Sequence, residues 1–149
     1  PRPARCGSQK AGGRKRLTFY GASGVANTER VSRAAAVLSA LGHARTYDWT
    51  THGSVAAEPS KRKSEVAAAE VSAISEADLV LILLPGGRGT HTELGLSLAD
   101  GRSRRILVWS ETAAPFDGSD GFCVFYHHPA VTRLVCPFDT LLHTLPSLI

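Results

Sequence analysis

The sequence predicts an α/β fold: a doubly wound parallel sheet of five strands in the order 2-1-3-4-5, with helices on both faces. Three observations lead there. Strand-length apolar runs alternate with stretches of helical period along residues 17–145. Ala77 to Leu84 is nearly continuous in apolar residues, as a central parallel strand buried on both faces requires. The connections are short, which favours right-handed crossovers between parallel neighbours.

Leu17–Tyr20 predicts the first strand, broken at Gly21. Asn27 or Thr28 is placed to cap the first helix, with Glu29 in its first turn. Val31, Ala35, Leu38 and Leu41 recur at helical spacing and Gly42 ends the helix. Ala44–Asp48 predicts the second strand, and residues 49–58 a polar loop. Pro59 opens a second helix, in which Val66, Glu70 and Ile74 share a face. The third strand, within Ala77–Leu84, ends at Pro85-Gly-Gly-Arg-Gly89, and a third helix spans Thr90–Ala99. Ile106–Trp109 and Val131–Val135 supply the last two strands, and Pro137–Leu145 a closing helix.

At 149 residues the chain fits one domain, read here as residues 17–149 behind a tail of residues 1–16. With 43% hydrophobic and 20% charged residues it can build a core. No apolar run approaches the roughly 18–20 residues of a membrane span, and no secretory apolar segment is evident, so no membrane partner is expected. The net charge of +4 is concentrated. Residues 1–16 hold six of the 17 Lys and Arg and no acid, leaving 11 basic and 13 acidic residues beyond them. A mildly acidic body argues against nucleic acid as a partner. The tail reads as a solvated, disordered arm. The absence of methionine predicts that residue 1 is not the natural start. Cys6, Cys123 and Cys136 form no CxxC and no zinc spacing, and the adjacent His127 and His128 make a poor metal pair. A reducing compartment, the cytoplasm, and no metal or cofactor are expected.

In a sheet of this order ligands bind beyond the carboxyl ends of the strands, where the order reverses between strands 1 and 3. Two glycine-bearing segments follow those strands, Gly21-Ala-Ser-Gly24 and Pro85–Gly89. The second leads into Thr90-His-Thr-Glu93. Glycines let backbone amides approach an anion, and a helix start offers free amides and partial positive charge. Glu93 falls in the first turn of the expected helix, where that field favours the ionised carboxylate of a nucleophile. Thr90-x-x-Glu93 is equally a capping box, in which the carboxylate only satisfies a backbone amide. Glu70 lies on the face that should pack against the sheet, where burial would raise its pKa and suit it to donate a proton. Alternatively it sits at the rim and reaches water. Two carboxyl groups so differentiated are what a retaining glycosyl transfer uses. Arg88 and Ser23 are candidate anion contacts, and Tyr20, Tyr47 and Trp49 candidate platforms for a base or ordinary packing residues. His91 is a candidate lining residue without an evident partner. Asp78 reads as structural, at the end of the sheet away from the site.

Phe19-Tyr-Gly-Ala22, Glu70–Asp78 and Gly89-Thr-His-Thr-Glu-Leu-Gly95 resemble the nucleoside 2-deoxyribosyltransferase family, in order along most of residues 17–145. That resemblance implies a flavodoxin-like, Rossmann-like fold and an enzyme acting on the N-glycosidic bond of a nucleoside or nucleotide, as a transferase or as a hydrolase of nucleoside 5′-monophosphates. Tyr47-Asp-Trp-Thr50 and Phe125–Pro129 resemble a less characterised branch. Glu93 falls on the family's nucleophile and Glu70 on its general-acid aspartate, with a longer arm. Gly87 replaces the aspartate that binds the sugar 5′-hydroxyl in transferases, and with Arg88 beside it the position suits a phosphate. Phe19 falls where transferases often place a tyrosine, with Tyr20 expected on the opposite face. Pro85-Gly-Gly-Arg-Gly-Thr-x-x-Glu93 is also similar to the signature of cytokinin-activating phosphoribohydrolases.

The expected site therefore has Glu93 attacking the anomeric carbon and Glu70 protonating the departing base. Gly21, Ser23, Arg88 and the amides of Gly86, Gly87, Gly89 and Thr90 would surround the phosphate, with Tyr20 or Trp49 beside the base. A homodimer or larger assembly is implied by the resemblance. A nucleotide sensor on the same fold, with Glu93 a mere cap, and a partner-binding domain that binds no nucleotide are the alternatives.

Overall fold

A computed structural model describes residues 15–149, so most of the expected tail lies outside the described residues. Five strands, β1 (Thr18–Ser23), β2 (Ala44–Arg45), β3 (Leu79–Leu83), β4 (Arg105–Ser110) and β5 (Val131–Val135), form one parallel sheet in the order β2-β1-β3-β4-β5. This is the predicted topology. All five residues of β3 are buried, which explains their unbroken apolar character. The helices are α1 (Thr28–Ala40), α2 (Ser60–Glu76), α3 (Arg88–Ala99), the short α4 (Ala114–Asp117) and α5 (Phe138–Leu148). Helix α1 packs with α5 and α2 with α3, one pair on each face of the sheet. No helix of the described residues is long and apolar enough to cross a membrane.

Alternation along β1 decides what each face receives. Phe19 and Gly21 face α1, against Val31, Ala34 and Leu38. Tyr20 faces the other way, toward α3.

Several boundaries differ from expectation. β1 does not break at Gly21; it continues to Ser23, because Gly21, Ala22 and Ser23 pair with Leu81, Ile82 and Leu83 of β3. Continuous pairing in the sheet centre outweighs glycine's poor strand preference. β2 is only two residues long, after which Asp48 accepts the Thr50 amide and begins a 3-10 turn at Trp49–Thr51. Asn27 occupies the N-cap of α1, yet its side chain caps nothing. Its amide donates instead to Ser23 Oγ and to the Pro85 carbonyl, joining the segments that follow β1 and β3. α3 begins at Arg88, two residues earlier than expected, and α5 runs on to Leu148 with Pro146 in its last turn. Gly42, at φ +89°, terminates the α1 segment as foreseen. Asp78 is structural, as expected. It accepts the Thr18 amide and hydroxyl and pairs with Arg102, which holds its carboxyl below the usual carboxylate range.

Candidate active site

A cavity of about 390 Å³ opens beyond the carboxyl ends of β1 and β3. It is walled by the start of α3 on one side and by α2 with the segment after β2 on the other. The topology places it where the strand order reverses.

At its floor Tyr20 Oη donates to Glu93 Oε1 at 2.5 Å. Tyr20 is 0% exposed and Glu93 8% exposed. Glu93 is the sixth residue of α3, a turn and a half below its start, so the expected first-turn position and capping box are both overturned. The helix starts at Arg88 because Gly87 takes the extended N-cap conformation. That leaves Thr90 too far inside to cap and gives the Glu93 carboxyl to Tyr20 instead. Burial pushes Glu93 up to about 7, the Tyr20 hydrogen bond opposes this, and the neighbouring Glu70 adds to it. Glu93 is therefore not held ionised by a helix start; Tyr20 is the group that favours its charged form. Burial first, and Glu93 second, hold the Tyr20 hydroxyl far above its ordinary range, so it stays a donor.

Glu70 lines the cavity from α2 and is half-buried. Burial raises its pKa, and His52 opposes that shift. The charge of Glu70 contributes to the raised pKa of Glu93, after burial.

Ser23, Trp49, Gly87, Gly89 and Thr90, each singled out in the sequence, also line the cavity. Trp49 is anchored by its Nε1–H to the Gly21 carbonyl at 2.7 Å, which fixes the ring against the cavity wall. A Cβ at Gly87 or Gly89 would meet open space. The N–H groups of Arg88, Gly89 and Thr90 fall in the first helical turn, where no intrahelical acceptor exists. Free amides at a helix start can accept an anion, and these share a cavity with the carboxyls of Glu70 and Glu93.

Five expectations fail here. Tyr20 cannot flank a base, since it is wholly buried; it holds the carboxylate. Gly21 faces α1, where a Cβ would come within 3.2 Å of Val31 Cγ1, and takes no part in the cavity. Gly86 lies outside the cavity too. It is needed because a Cβ there would fall 2.5 Å from Thr90 Cγ2. Arg88 is exposed and its side chain does not line the cavity, since helical rotation turns residue 88 away from the wall that presents 89, 90 and 93. Ser23 keeps its position but not its expected role. Its hydroxyl donates to the Leu83 carbonyl at 2.6 Å and accepts from Asn27, so its proton is committed.

His91 is not in this cavity. It borders a separate one of about 190 Å³, with Nδ1 on the Gly87 carbonyl at 2.7 Å and Nε2 on Tyr126 Oη at 2.6 Å. Tyr47, another candidate platform, bonds His52 Nε2 at 2.8 Å. Sequence reasoning missed His52 and Lys63, which both line the cavity. Lys63, Val66, Ala67 and Glu70 form an i, i+3, i+4, i+7 stripe, a signal that was available once Glu70 had been singled out. A larger cavity, about 490 Å³, opens at the opposite end of the sheet beside Asp78 and Arg104. Their side chains are already committed, Asp78 to Thr18 and Arg102 and Arg104 to Asp100 and the Ile74 carbonyl.

No family model matches the chain, and no curated protein matches it. Among solved structures it is similar to the CMP N-glycosidase BcmB of Clostridium botulinum. The two share 17% identity at a TM-score of 0.58, over 87% of this chain and 98% of that one. The likeness establishes the shared α/β fold.

Proposed function

We propose that the protein cleaves the N-glycosidic bond of a nucleoside 5′-monophosphate. The observation that carries this reading is the buried Tyr20–Glu93 pair set in one cavity with Glu70 and the open amide end of α3. The resemblance of the sequence motifs and the fold shared with a CMP N-glycosidase support the same bond.

Tyr20 donates to Oε1 of Glu93 and leaves Oε2 to attack C1′. As the C1′–O bond forms, the C1′–N bond breaks and Glu70 gives its proton to the departing base. The glycosyl ester on Glu93 is then attacked at C1′ by water. Glu70, now ionised, takes the water proton and Glu93 leaves as carboxylate. The amides of Arg88, Gly89 and Thr90 hold the 5′-phosphate. Gly87 and Gly89 let it approach, since neither is required by packing. In this scheme the Arg88 guanidinium and the Ser23 hydroxyl are not phosphate ligands.

The test is base release, followed by chromatography, from ribo- and deoxyribonucleoside 5′-monophosphates and from the free nucleosides, with Glu93→Gln beside the wild type. Release from monophosphates that is lost in the variant is the expected result. Release from nucleosides alone would overturn the phosphate assignment. Binding without release would make the protein a nucleotide sensor. A second base added to the same assay separates transfer from hydrolysis, and light scattering reports whether the expected homodimer forms.

A further inference from the structure

We propose that Lys63 reads the base, selecting nucleotides that carry an exocyclic oxygen on the base edge remote from the sugar, as uracil and hypoxanthine do. Bases with an amino group there, cytosine and adenine, are disfavoured. The inference rests on the N-glycosidase reading, which divides the cavity into two halves. The sugar phosphate takes the side of Glu93 and the α3 amides. The base must then lie on the side of Glu70, against α2 and the segment Trp49–Ala56.

That second half is mostly apolar, from Trp49, Val55, Ala56, Val66 and Ala67. Its polar groups are largely committed. The ring nitrogens of His52 are taken by Tyr47 Oη and the Gly53 carbonyl, and Ser54 Oγ accepts the Ala56 amide. Among the described residues, Lys63 is the one Lys or Arg that lines the cavity. Its neighbour Arg62 is turned to Glu65. Lys63 stands seven residues before Glu70 on the same face, about 10 Å along the helix. A base that offers its glycosidic side to Glu70 presents its far edge toward Lys63. An ammonium has three donors and no acceptor, so it satisfies a carbonyl oxygen and leaves an amino group facing another donor.

The test measures two quantities. Dissociation constants for UMP, CMP, IMP and AMP are taken by calorimetry in Glu93→Gln and in Glu93→Gln with Lys63→Met, where turnover does not interfere. kcat/KM is measured for the same nucleotides and their nucleosides in wild type and in Lys63→Met alone. UMP should bind at least tenfold tighter than CMP, and IMP than AMP, with both ratios falling to about one in the Lys63→Met background. The preference for phosphorylated over free nucleosides should be unchanged. Equal binding of the oxo and amino bases with Lys63 intact overturns the proposal. So does a loss that is uniform across bases and confined to phosphorylated ligands, which would assign Lys63 to the phosphate. Absence of turnover with selective binding would sink the N-glycosidase reading and leave the base selectivity standing. Absence of binding would sink both.

Discussion

The two glycine-bearing segments that follow β1 and β3 look alike in sequence and do opposite things. In the first, Gly21 lets α1 close onto the sheet, and Ser23 ties β1 to β3 through the Leu83 carbonyl and to α1 through Asn27. In the second, Gly86 makes room for Thr90, whereas Gly87 and Gly89 face open space beside unbonded amides. A glycine that a neighbour would crowd serves the fold. A glycine with empty space around it, on a cavity wall, serves whatever enters the cavity. The distinction is invisible in Gly-Ala-Ser-Gly and Pro-Gly-Gly-Arg-Gly and plain once the neighbours are placed.

The largest effect belongs to the floor that both segments frame. Glu93→Gln should lower kcat by on the order of 10³-fold or more. The same variant carries a stability signature. Glu93 binds its proton more tightly folded than unfolded, so its contribution favours the folded state at low pH and is lost as pH rises from about 4.5 through about 7. The size is about 3 kcal/mol. Thermal melts should therefore show Glu93→Gln gaining on wild type between pH 5 and pH 9, and wild-type kcat/KM should pass through an optimum, falling on the acid side as Glu93 takes up a proton and on the alkaline side as Glu70 loses one. Tyr20→Phe removes the group that favours the Glu93 carboxylate, so the acidic limb of that profile should move to higher pH.

Next in size is the second segment. Gly87→Val should cost roughly 10- to 100-fold in kcat/KM for a monophosphate, comparable with losing one or two charge-assisted hydrogen bonds. Its melting temperature should stay close to wild type. Gly89→Ala should also impair turnover while raising stability by up to about 1 kcal/mol, because it removes a glycine from inside a helix. In the first segment the pattern inverts. Gly21→Ala should cost about 1 kcal/mol in denaturant melts as Val31 is displaced, with activity per folded molecule retained. The smallest effect is expected at Arg88. Arg88→Ala should change kcat/KM less than twofold, and a larger loss confined to phosphorylated substrates would return the guanidinium to the phosphate.

The architecture was legible in the sequence because it rests on one-dimensional signals. The buried run at β3, the helical stripe of α1 and the alternation of elements each survive without knowledge of a partner. The region of the site was legible for the same reason, since Glu93, Glu70, Trp49, Gly87, Gly89 and Thr90 converge where the strand order reverses. The roles were less so, because they are decided by contacts across the chain. Tyr20 meets Glu93 across 73 residues, and only that contact shows that its buried hydroxyl holds a carboxyl and does not face the cavity. Arg88 was misplaced by a small shift in where α3 begins, which rotates its side chain out of the cavity. Lys63 drew no notice because an exposed lysine near a helix start is ordinary until a cavity is seen beside it.

The proposed reaction is a double displacement through Glu93. Its most direct test is the configuration at C1′ of the product, read by proton NMR when methanol competes with water. Retention, giving the methyl glycoside with the anomeric configuration of the starting nucleotide, is the predicted result. Inversion would mean that the acceptor attacks C1′ directly, and would remove Glu93 from its place as nucleophile.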